Sequence, residues 1–245
     1  MRRYRDTVTV LMGLGFRLRL AKLHVICDPR TKKGDLGEFA AAAFAGGVDM
    51  LQLRAPHLGQ RDVVKALEVL RRAAVLTQGL VVTDDAQAAA AFEGDVLHLG
   101  WAGGSTGAAK AALHRWAMIG RSAHSDEQLA AANADVAVDY LFVGPVWVSG
   151  GEHPAPGLDI VRHAADVLPP FAVPERSKPW FAVGGITSEN LGEVIGAGAR
   201  RVCVSRAITE ASNPEAAARA LKAPLVQAWA DDPASEAYVV GAFTD

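Results

Sequence analysis

Eight short apolar runs alternate along this chain with eight alanine-rich stretches that have helical character. The apolar runs cover residues 23–27, 50–54, 80–83, 96–99, 118–122, 140–143, 180–183 and 202–205. The helical stretches lie near residues 35–45, 60–76, 86–92, 106–116, 126–133, 158–167, 188–197 and 214–222. Strands that alternate with helices in this way pair in parallel and are covered by helices on both faces. The alternation therefore predicts an α/β fold built on a parallel sheet.

The length of the chain decides between the two common forms of such a sheet. With 245 residues, half of them hydrophobic, the chain has the size of one (β/α)8 barrel, the TIM barrel. Its short, evenly spaced strands favour a closed barrel over an open, doubly wound sheet. A glycine-rich dinucleotide motif does not follow the first strand, where Asp28-Pro29-Arg30 stands instead. We therefore predict a single TIM-barrel domain over residues 23–222.

Two flanking segments complete the predicted domain organisation. Residues 1–22 begin with a basic tripeptide and an apolar stretch, which faintly resembles a signal peptide, but Arg17 and Arg19 interrupt that stretch. The stretch is also too short to span a bilayer. We therefore expect an N-terminal extension on a cytoplasmic protein that makes no membrane contact. Residues 223–245 form an acidic C-terminal tail, whose segment 237–243 is expected to pack either on the barrel or on a partner.

The charge balance and the cysteine content exclude two classes of protein. Lys and Arg number 25 and Asp and Glu 27, a net charge of −2, so no basic excess exists to drive nucleic-acid binding. Any affinity for anions must therefore come from local geometry. Only Cys27 and Cys203 are present, each in an apolar run, which indicates two buried thiols and not a disulfide scaffold.

The last two predicted strands end in residues suited to a phosphate group. The seventh runs into Gly184-Gly185, and the eighth runs into Ser205. Barrels commonly bind phosphate at these two loops through backbone N–H groups. Paired glycines carry no side chains and so allow an anion to approach those N–H groups closely. A glycine turn that serves packing alone is the alternative. Because both loops carry compatible residues, we favour a phosphate site.

Polar residues also end the second and third predicted strands. Gln52 and Arg54 point to the same side of their strand, into the barrel or its mouth, where an Arg suits a phosphate or carboxylate. A structural ion pair of Arg54 with Asp84 is an equal alternative. Asp84 and Asp85 end the third strand and could hold Mg²⁺ through their oxygens, unless one of them caps the next helix.

The fifth and sixth strand ends add three candidate residues. Ser122 could donate to a phosphate oxygen, and His124 could act as a general acid or base near neutral pH, or else be a polar helix cap. The sixth strand is followed by a glycine-rich loop of the kind that forms lids, in which Ser149 is the evident hydrogen-bonding group.

Five short motifs carry a resemblance to a known family over residues 23–222. They are Gly46-Gly47-Val48-Asp49-Met50-Leu51-Gln52-Leu53-Arg54, Val96-Leu97-His98-Leu99-Gly100, Gly120-Arg121-Ser122-Ala123-His124, Val138-Asp139-Tyr140 with Gly144-Pro145, and Ala182-Val183-Gly184-Gly185-Ile186. In this order the motifs resemble thiamine-phosphate synthase, also called thiamine-phosphate pyrophosphorylase, in the superfamily that includes the thiazole tautomerase.

The resemblance implies an enzyme of thiamine biosynthesis and a role for each strand-end residue. The synthase, a transferase, joins hydroxymethylpyrimidine diphosphate to a thiazole phosphate and releases pyrophosphate. Gln52 and Ser149 would face the pyrimidine, Arg54 and Ser122 the diphosphate, and Asp84 would hold Mg²⁺. The thiazole phosphate would bind at Gly184, Gly185 and Ser205, and Arg54, Ser122 and His124 would take part in the chemistry.

The chain departs from the family pattern around the diphosphate. Pro56 stands where the family has lysine, Thr83 where it has asparagine, and Asp85 where it has a basic residue. Gly103 replaces the aspartate that is the second magnesium ligand, and Glu152 aligns with the lysine of the lid. Each loss removes a partner of the diphosphate or of the metal, and such contacts commonly contribute a few kcal/mol. We therefore expect weak or lost magnesium binding.

Three hypotheses follow for the function. The first is a working synthase in which His57, His153 and Asp85 substitute for the missing groups. The second is a tautomerase-like enzyme that uses His124 on a thiazole phosphate without metal, and the third is a non-catalytic barrel that binds a phosphorylated ligand. Metal dependence separates the first two, and turnover separates both from the third. The sequence leaves a homo-oligomer open.

Overall fold

Eight parallel strands close into a barrel in chain order, which confirms the predicted (β/α)8 fold. The strands are β1 (Leu23–Cys27), β2 (Met50–Leu53), β3 (Leu80–Thr83), β4 (Val96–Leu99), β5 (Met118–Ala123), β6 (Tyr140–Val143), β7 (Trp180–Val183) and β8 (Val202–Val204). The barrel closes where β8 pairs with β1, with Val202 beside Leu23. The computed structural model describes residues 13–147, 155–172 and 177–242.

Helices surround the barrel and flank it at both ends of the chain. They are α1 (Leu14–Leu20), α2 (Leu36–Ala45), α3 (Gln60–Ala74), α4 (Ala86–Phe92), α5 (Thr106–Ala112), α6 (Asp126–Ala134), α7 (Leu158–Val167), α8 (Leu191–Gly196), α9 (Arg206–Thr209), α10 (Pro214–Ala230) and α11 (Ala234–Ala242). None of these described helices is long and apolar enough to cross a membrane.

The strands alternate their side chains between two apolar layers. In β1, Val25 points outward into the large layer between the barrel and the helices, and His24 points into the interior. Met50, Tyr140 and Phe181 help to fill the interior and are fully buried. Each such large apolar side chain contributes about 1.5–3 kcal/mol on burial. This interior packing leaves room for ligands only toward the carboxyl ends of the strands.

Helix α1 closes the opposite end of the barrel interior. Leu18 is buried among the first residues of several strands, including Met50 and Leu80. Arg17 donates to the carbonyls of Gln78 and Gly79, each over 2.6 Å, and so satisfies groups at the entry to β3. The described part of the expected N-terminal extension, residues 13–22, is therefore integrated into the barrel. Residues 1–12 lie outside the described residues.

The last barrel helix does not end at Lys222 as expected from the sequence. Helix α10 continues through Pro224 to Ala230, although a proline inside a helix removes one hydrogen bond. Leu221, Leu225 and Trp229 recur at four-residue spacing, and all three are buried against the barrel. This packing outweighs the effect of the proline.

The described part of the C-terminal tail packs on the barrel and not away from it. Tyr238 of α11 lies edge-on to Trp229, with ring centroids 6.0 Å apart. Its hydroxyl accepts a hydrogen bond of 3.1 Å from the buried guanidinium of Arg201, which precedes β8. Of the two alternatives for the tail, the structure therefore supports packing on the barrel.

Other predicted boundaries differ from the structure by a few residues. Helix α5 ends at Ala112 and not at residue 116, because Leu113 takes an extended conformation with φ −103° and ψ 167°. Strand β2 ends at Leu53, so Arg54 stands just beyond it. This small shift places the Arg54 side chain at the mouth of the barrel and not in its interior.

Candidate active site

The predicted site residues that the structure describes lie at one end of the barrel. They are Gln52, Arg54, Thr83, Asp84, Ser122, His124, Gly184, Gly185 and Ser205, at or just beyond the carboxyl ends of five strands. Active sites of such barrels form at this end, because the loops that follow the strands converge there. Ser149, Glu152 and His153 lie outside the described residues.

A cavity of about 470 Å³ lies between the ends of β7 and β8. Gly184, Gly185 and Ser205 line it, together with Arg206. Both glycines have positive φ angles, +109° and +63°, which other residues rarely adopt. The cavity, its cation and its exposed backbone are suited to a phosphate.

The two glycines also have a packing role. A Cβ on Gly184 would lie 2.6 Å from the Cβ of Pro145, and one on Gly185 would lie 2.9 Å from the Cβ of Trp147. Pro145 follows a cis peptide bond, and Trp147 donates its N–H to the carbonyl of Gly184 over 3.1 Å. The glycines therefore let the loop after β6 approach the cavity closely, and both roles expected from the sequence are compatible.

Arg54 and Asp84 form an ion pair across the mouth, with 3.7 Å between Nε and Oδ2. The Arg54 side chain is 66% exposed and the Asp84 side chain 33% exposed, so the pair is open to solvent. Partial burial raises the pKa of the Asp84 carboxyl, and the nearby Arg54 guanidinium opposes that rise. The ion pair expected as an alternative is therefore present, but both groups remain accessible to a ligand.

The neighbouring residues of β3 are used within the protein. Asp85 caps α4, because its side chain accepts a 2.8 Å hydrogen bond from the N–H of Ala88. The hydroxyl of Thr83 accepts from the N–H of Asp85 over 3.2 Å and so stabilises the same turn. The capping role expected for one of the two carboxylates thus falls to Asp85.

Gln52 and His24 place polar atoms inside the barrel. Gln52 is 2% exposed, and its Oε1 atom has no hydrogen-bond partner among the described residues. Neither ring nitrogen of His24 makes a well-formed hydrogen bond to the described residues, although the Gln52 side chain lies beside the ring. Burial lowers the pKa of His24 to about 3, and the Gln52 side chain opposes that shift. An unsatisfied buried acceptor is unfavourable unless a ligand or water completes it. Gln52 Oε1 therefore faces the barrel interior near His24, where a water or a ligand donor would complete its hydrogen bonding.

Ser122 takes part in a hydrogen-bonded chain that sequence reasoning did not identify. Its hydroxyl lies 3.0 Å from Nε2 of His98, whose Nδ1 atom lies 3.1 Å from the hydroxyl of Tyr140. His98 occupies an inward position of an otherwise apolar strand, just as Gln52 does. This position could have identified His98 as a candidate site residue, because a buried polar residue inside an apolar run requires a hydrogen-bond partner.

His124 stands at the mouth with one ring nitrogen engaged. Its Nδ1 atom lies 2.5 Å from the carbonyl of Gly144, so this nitrogen carries the proton and Nε2 is the free acceptor when the ring is neutral. The cap of α6 is Ser125 and not His124, because the Ser125 hydroxyl accepts from the N–H of Gln128. The exposed Nε2 is available to take up a proton from a ligand.

A second cavity, of about 440 Å³, lies between the loops that follow β1 and β2. Its lining includes Pro56 and five basic residues, namely Arg30, Lys32, Lys33, Arg54 and His57. Arg30 is held in place by Asp35, which accepts two hydrogen bonds of 2.7 Å each from its guanidinium. Lys32 and Lys33 were not expected from the sequence, although they lie in the loop that follows the first strand.

Comparison with known proteins assigns the chain to a family. Residues 23–208 match the family model described as thiamine monophosphate synthase. The chain belongs to this family. Thiamine-phosphate synthase of Thermobifida fusca is 46% identical over 217 residues, which cover 87% of this chain and 96% of that protein. The Saccharopolyspora erythraea synthase is 44% identical over 225 residues, 88% and 98% of the two chains.

A solved structure gives the same result. Thiamine phosphate pyrophosphorylase of Pyrococcus furiosus superposes with a TM-score of 0.74 at 25% identity, over 86% of this chain and 98% of that one. The resemblance read from the five motifs is therefore confirmed, and the fold of the family is the fold of this chain.

The part of the chain that the structure describes holds no preformed cage of metal-ligating side chains. Among the described residues, no group of three or more His, Cys, Asp or Glu side chains is placed to hold a metal ion. Asp84 is paired with Arg54, and Asp85 caps α4. Magnesium is often held by one or two carboxylates together with substrate phosphates. Asp84 therefore fits only a magnesium ion that binds together with a diphosphate.

The loop that should carry a second magnesium ligand is held in a tight turn. Arg121 donates to the carbonyls of Trp101 and Gly104, over 2.5 and 2.9 Å. A Cβ on Gly103 would lie 2.9 Å from the carbonyl oxygen of Gly100. A side chain on Gly103, such as the aspartate expected from the resemblance, would therefore require the present loop to shift.

Proposed function

We propose that this protein is a thiamine-phosphate synthase, which joins hydroxymethylpyrimidine diphosphate to a thiazole phosphate and releases pyrophosphate. The observation that carries the proposal is family membership over the whole barrel. A cavity at the barrel mouth, lined by Gly184, Gly185, Ser205 and Arg206, supports it because these groups suit an anion. Shared fold alone would not support a reaction. Here the reaction is supported by the 46% identity to a named synthase together with the strand-end residues.

The two substrates would bind side by side at the mouth. The cavity lined by Gly184, Gly185 and Ser205 would hold the thiazole phosphate, with Arg206 as its cation. Gln52 would offer its unpartnered Oε1 to a donor on the pyrimidine. Ser149, outside the described residues, would contact the same ring.

Arg54 and Ser122 would face the diphosphate, on which negative charge grows as its bond to the pyrimidine breaks. Positive groups already in place stabilise such charge without reorganisation. Pro56 supplies no cation, but Lys32, Lys33 and His57 line the adjacent cavity together with Arg54. We propose that these three residues supply part of the missing positive charge, which extends the role considered for His57.

Asp84 would hold a magnesium ion through its carboxylate, with diphosphate oxygens and water as the other ligands. A bound magnesium ion would neutralise charge on the leaving diphosphate. Arg54 competes for the same carboxylate in the absence of substrate. Magnesium alone should therefore bind weakly, and diphosphate should strengthen its binding.

His124 favours one alternative, a tautomerase-like activity. Its Nε2 atom is free to accept a proton, since Nδ1 donates to the carbonyl of Gly144. Such an enzyme would need neither a diphosphate nor a metal. We prefer the synthase, because the basic residues around Arg54 would have no role in the tautomerase.

An assay with both thiamine precursors and Mg²⁺ tests the proposal. We expect thiamine phosphate and pyrophosphate in equal amounts, and activity that EDTA lowers. Isomerisation of a thiazole phosphate alone, unaffected by EDTA, would identify the tautomerase. Absence of both reactions would leave a phosphate-binding barrel. Light scattering on the same preparation would distinguish a monomer from a homo-oligomer. We propose that the protein resides in the cytoplasm.

A further inference from the structure

A chain of three polar side chains runs through the barrel interior to its mouth. Tyr140 Oη lies 3.1 Å from Nδ1 of His98, and Nε2 of His98 lies 3.0 Å from Oγ of Ser122. Tyr140 is fully buried, and His98 and Ser122 are 4% and 9% exposed. Ser122 is the end of the chain nearest the solvent, because it lies close to the carboxyl end of β5.

The surrounding barrel is shaped to hold this chain in place. A Cβ on Gly120 would lie 2.2 Å from Cζ of Tyr140 and 2.5 Å from Nδ1 of His98, so any side chain there would displace both. The His98 ring stacks on Phe142 with centroids 3.9 Å apart. The glycine and the stacked ring fix the position of both His98 nitrogens.

The direction of the hydrogen bonds follows from the donors available. Burial keeps the pKa of His98 well below its usual range and that of Tyr140 well above, so the ring is neutral and the phenol is protonated. Nδ1 of His98 is the one partner that the described residues offer the Tyr140 hydroxyl. A buried hydroxyl that donates to nothing is unfavourable, so Tyr140 donates to Nδ1 and the proton of His98 resides on Nε2.

The same direction then continues to Ser122. With its proton on Nε2, His98 donates to the Ser122 oxygen, and the hydroxyl hydrogen of Ser122 is left to point elsewhere. In the reverse direction Ser122 would donate inward to His98 and could only accept from a ligand. An anionic oxygen requires a donor, so only the first arrangement suits it.

We propose that Tyr140 and His98 are positioning residues, which hold the Ser122 hydroxyl as a donor toward the anionic group of the substrate at the barrel mouth. The inference deepens the proposed synthase function, because it rests on a diphosphate facing Ser122. Its first consequence, the tautomer of His98, does not depend on that function.

Nitrogen NMR of the full-length protein labelled at histidine tests the tautomer directly. We expect the His98 signal of the wild type to show hydrogen on Nε2 and a bare Nδ1 near pH 7. In Tyr140→Phe the bare nitrogen loses its donor, and we expect a mixture of tautomers. Hydrogen on Nδ1 in the wild type would overturn the proposal, whether or not the protein turns over.

Titration with inorganic pyrophosphate tests the consequence for binding. We expect Ser122→Ala and Tyr140→Phe each to weaken binding about tenfold, or about 1.4 kcal/mol, within the range for a hydrogen bond to a charged group. The double variant should bind no more weakly than Ser122→Ala, since Tyr140 acts through Ser122. Equal further weakening in the double variant would contradict a role through Ser122.

Two controls separate positioning from a loss of structure. Tyr238→Phe also removes a tyrosine hydroxyl that is hydrogen-bonded, to Arg201, but far along the chain from this site, and should leave pyrophosphate binding unchanged. His98→Gln keeps both a donor and an acceptor and should retain more affinity than His98→Leu. If His98→Gln and His98→Leu bind pyrophosphate equally poorly, the role of His98 is packing alone. If the wild type shows the expected tautomer and binding but no synthesis, the proposed function fails and the positioning inference stands.

Discussion

At the scale of single residues, Arg54 carries two roles that compete. It pairs with Asp84 across 3.7 Å in the absence of ligand, yet most of its side chain is exposed. Exposed ion pairs contribute little stability, about 0–1 kcal/mol, so a more highly charged ligand can displace the partner. Arg54 can therefore exchange a carboxylate for a diphosphate at small cost in stability.

Replacing Arg54 by Ala should lower kcat/KM for the pyrimidine diphosphate and leave stability nearly unchanged. One contact to a charged group contributes about 1.5–3 kcal/mol, which corresponds to roughly a ten- to hundredfold loss. Steady-state kinetics with varied diphosphate substrate measure it. Arg162→Ala, which also breaks an exposed pair with an aspartate, is the matched control and should keep full activity. Equal losses of kcat/KM in both variants would show that Arg54 does not contact the substrate.

Replacing His24 tests a pH effect that originates inside the barrel. Burial lowers its pKa from 6.5 to about 3, so the unfolded chain binds the proton more tightly than the folded one. Stability is therefore full above about pH 6.5 and falls as the pH drops from there toward 3. The loss between pH 7 and pH 5 should be about 2 kcal/mol from this residue.

Urea unfolding at the two pH values measures this contribution. In His24→Leu the wild-type loss should shrink by about that amount, even if the variant is less stable at pH 7. His163→Leu, which removes a surface histidine beside Asp126, is the matched control variant. An unchanged loss in His24→Leu would mean that other groups, His98 among them, govern the acid response.

Sequence patterns reveal individual site residues where these interrupt an apolar run or directly follow a predicted strand. Gln52 and Arg54 are predictable from the apolar run that they interrupt. The ion pair of Arg54 with Asp84, one of the two alternatives for this residue, is present in the structure. Lys32 and Lys33 are ordinary loop residues in the sequence, and only the convergence of two loops brings them beside Arg54. The partner of a side chain across a barrel depends on strand register, which the sequence does not contain explicitly.

At the scale of elements, the loop between β4 and α5 constrains how magnesium binding could be restored. Gly103 lies against the backbone of Gly100, and Arg121 fixes the loop through two carbonyls. Gly103→Asp is the change that the family pattern suggests. In the present loop the new side chain forces the backbone to move.

We expect Gly103→Asp to destabilise the protein by about 1–3 kcal/mol, as overpacking commonly does. It should not tighten magnesium binding while the loop keeps its conformation. Urea unfolding and calorimetry with Mg²⁺ and pyrophosphate measure the two effects. Gly107→Asp places the same side chain in the open first turn of α5 and should be neutral in both measurements. Unchanged stability and tighter metal binding in Gly103→Asp would show that the loop adapts readily.

The eight strands and most helices are predictable because local periodicity and tertiary packing agree there. Helix α10 is the informative exception, since Pro224 predicts an end where the buried side chains of Leu225 and Trp229 prolong the helix. Helix α1 is missed because Arg17 breaks an apolar stretch. Arg17 in fact satisfies the carbonyls that precede β3, a contact between segments 61 residues apart.

At the scale of the whole molecule, both flanking segments belong structurally to the barrel. Helix α1 closes the interior at one end, and α10 and α11 pack beside it through Trp229 and Tyr238. Arg19 lies over the Tyr238 ring, 5.0 Å from its centroid, which joins the two ends of the described chain. We therefore propose that residues 23–222 do not fold as an independent domain at full stability.

Truncation after Lys222 should destabilise the protein severely, because it removes Leu225 and Trp229 from the buried face of α10. Losing two such side chains costs roughly 2–5 kcal/mol each, a large part of a typical domain stability. Truncation after Asp232 keeps α10 and removes α11, so an intermediate stability is expected. Thermal unfolding of the three lengths measures the series. Full stability of the shortest chain would show that the barrel domain ends at residue 222.

The pairing of β8 with β1 has a consequence for how the protein is made. A ribosome releases β1 early and β8 near the end, so the free edge of β1 stays without its second neighbour through most of synthesis. An open strand edge is a template for pairing with other chains. The nascent polypeptide must therefore remain shielded until its last fifth emerges, and the same late segment that completes the sheet also brings α10 and α11 to cover the seam.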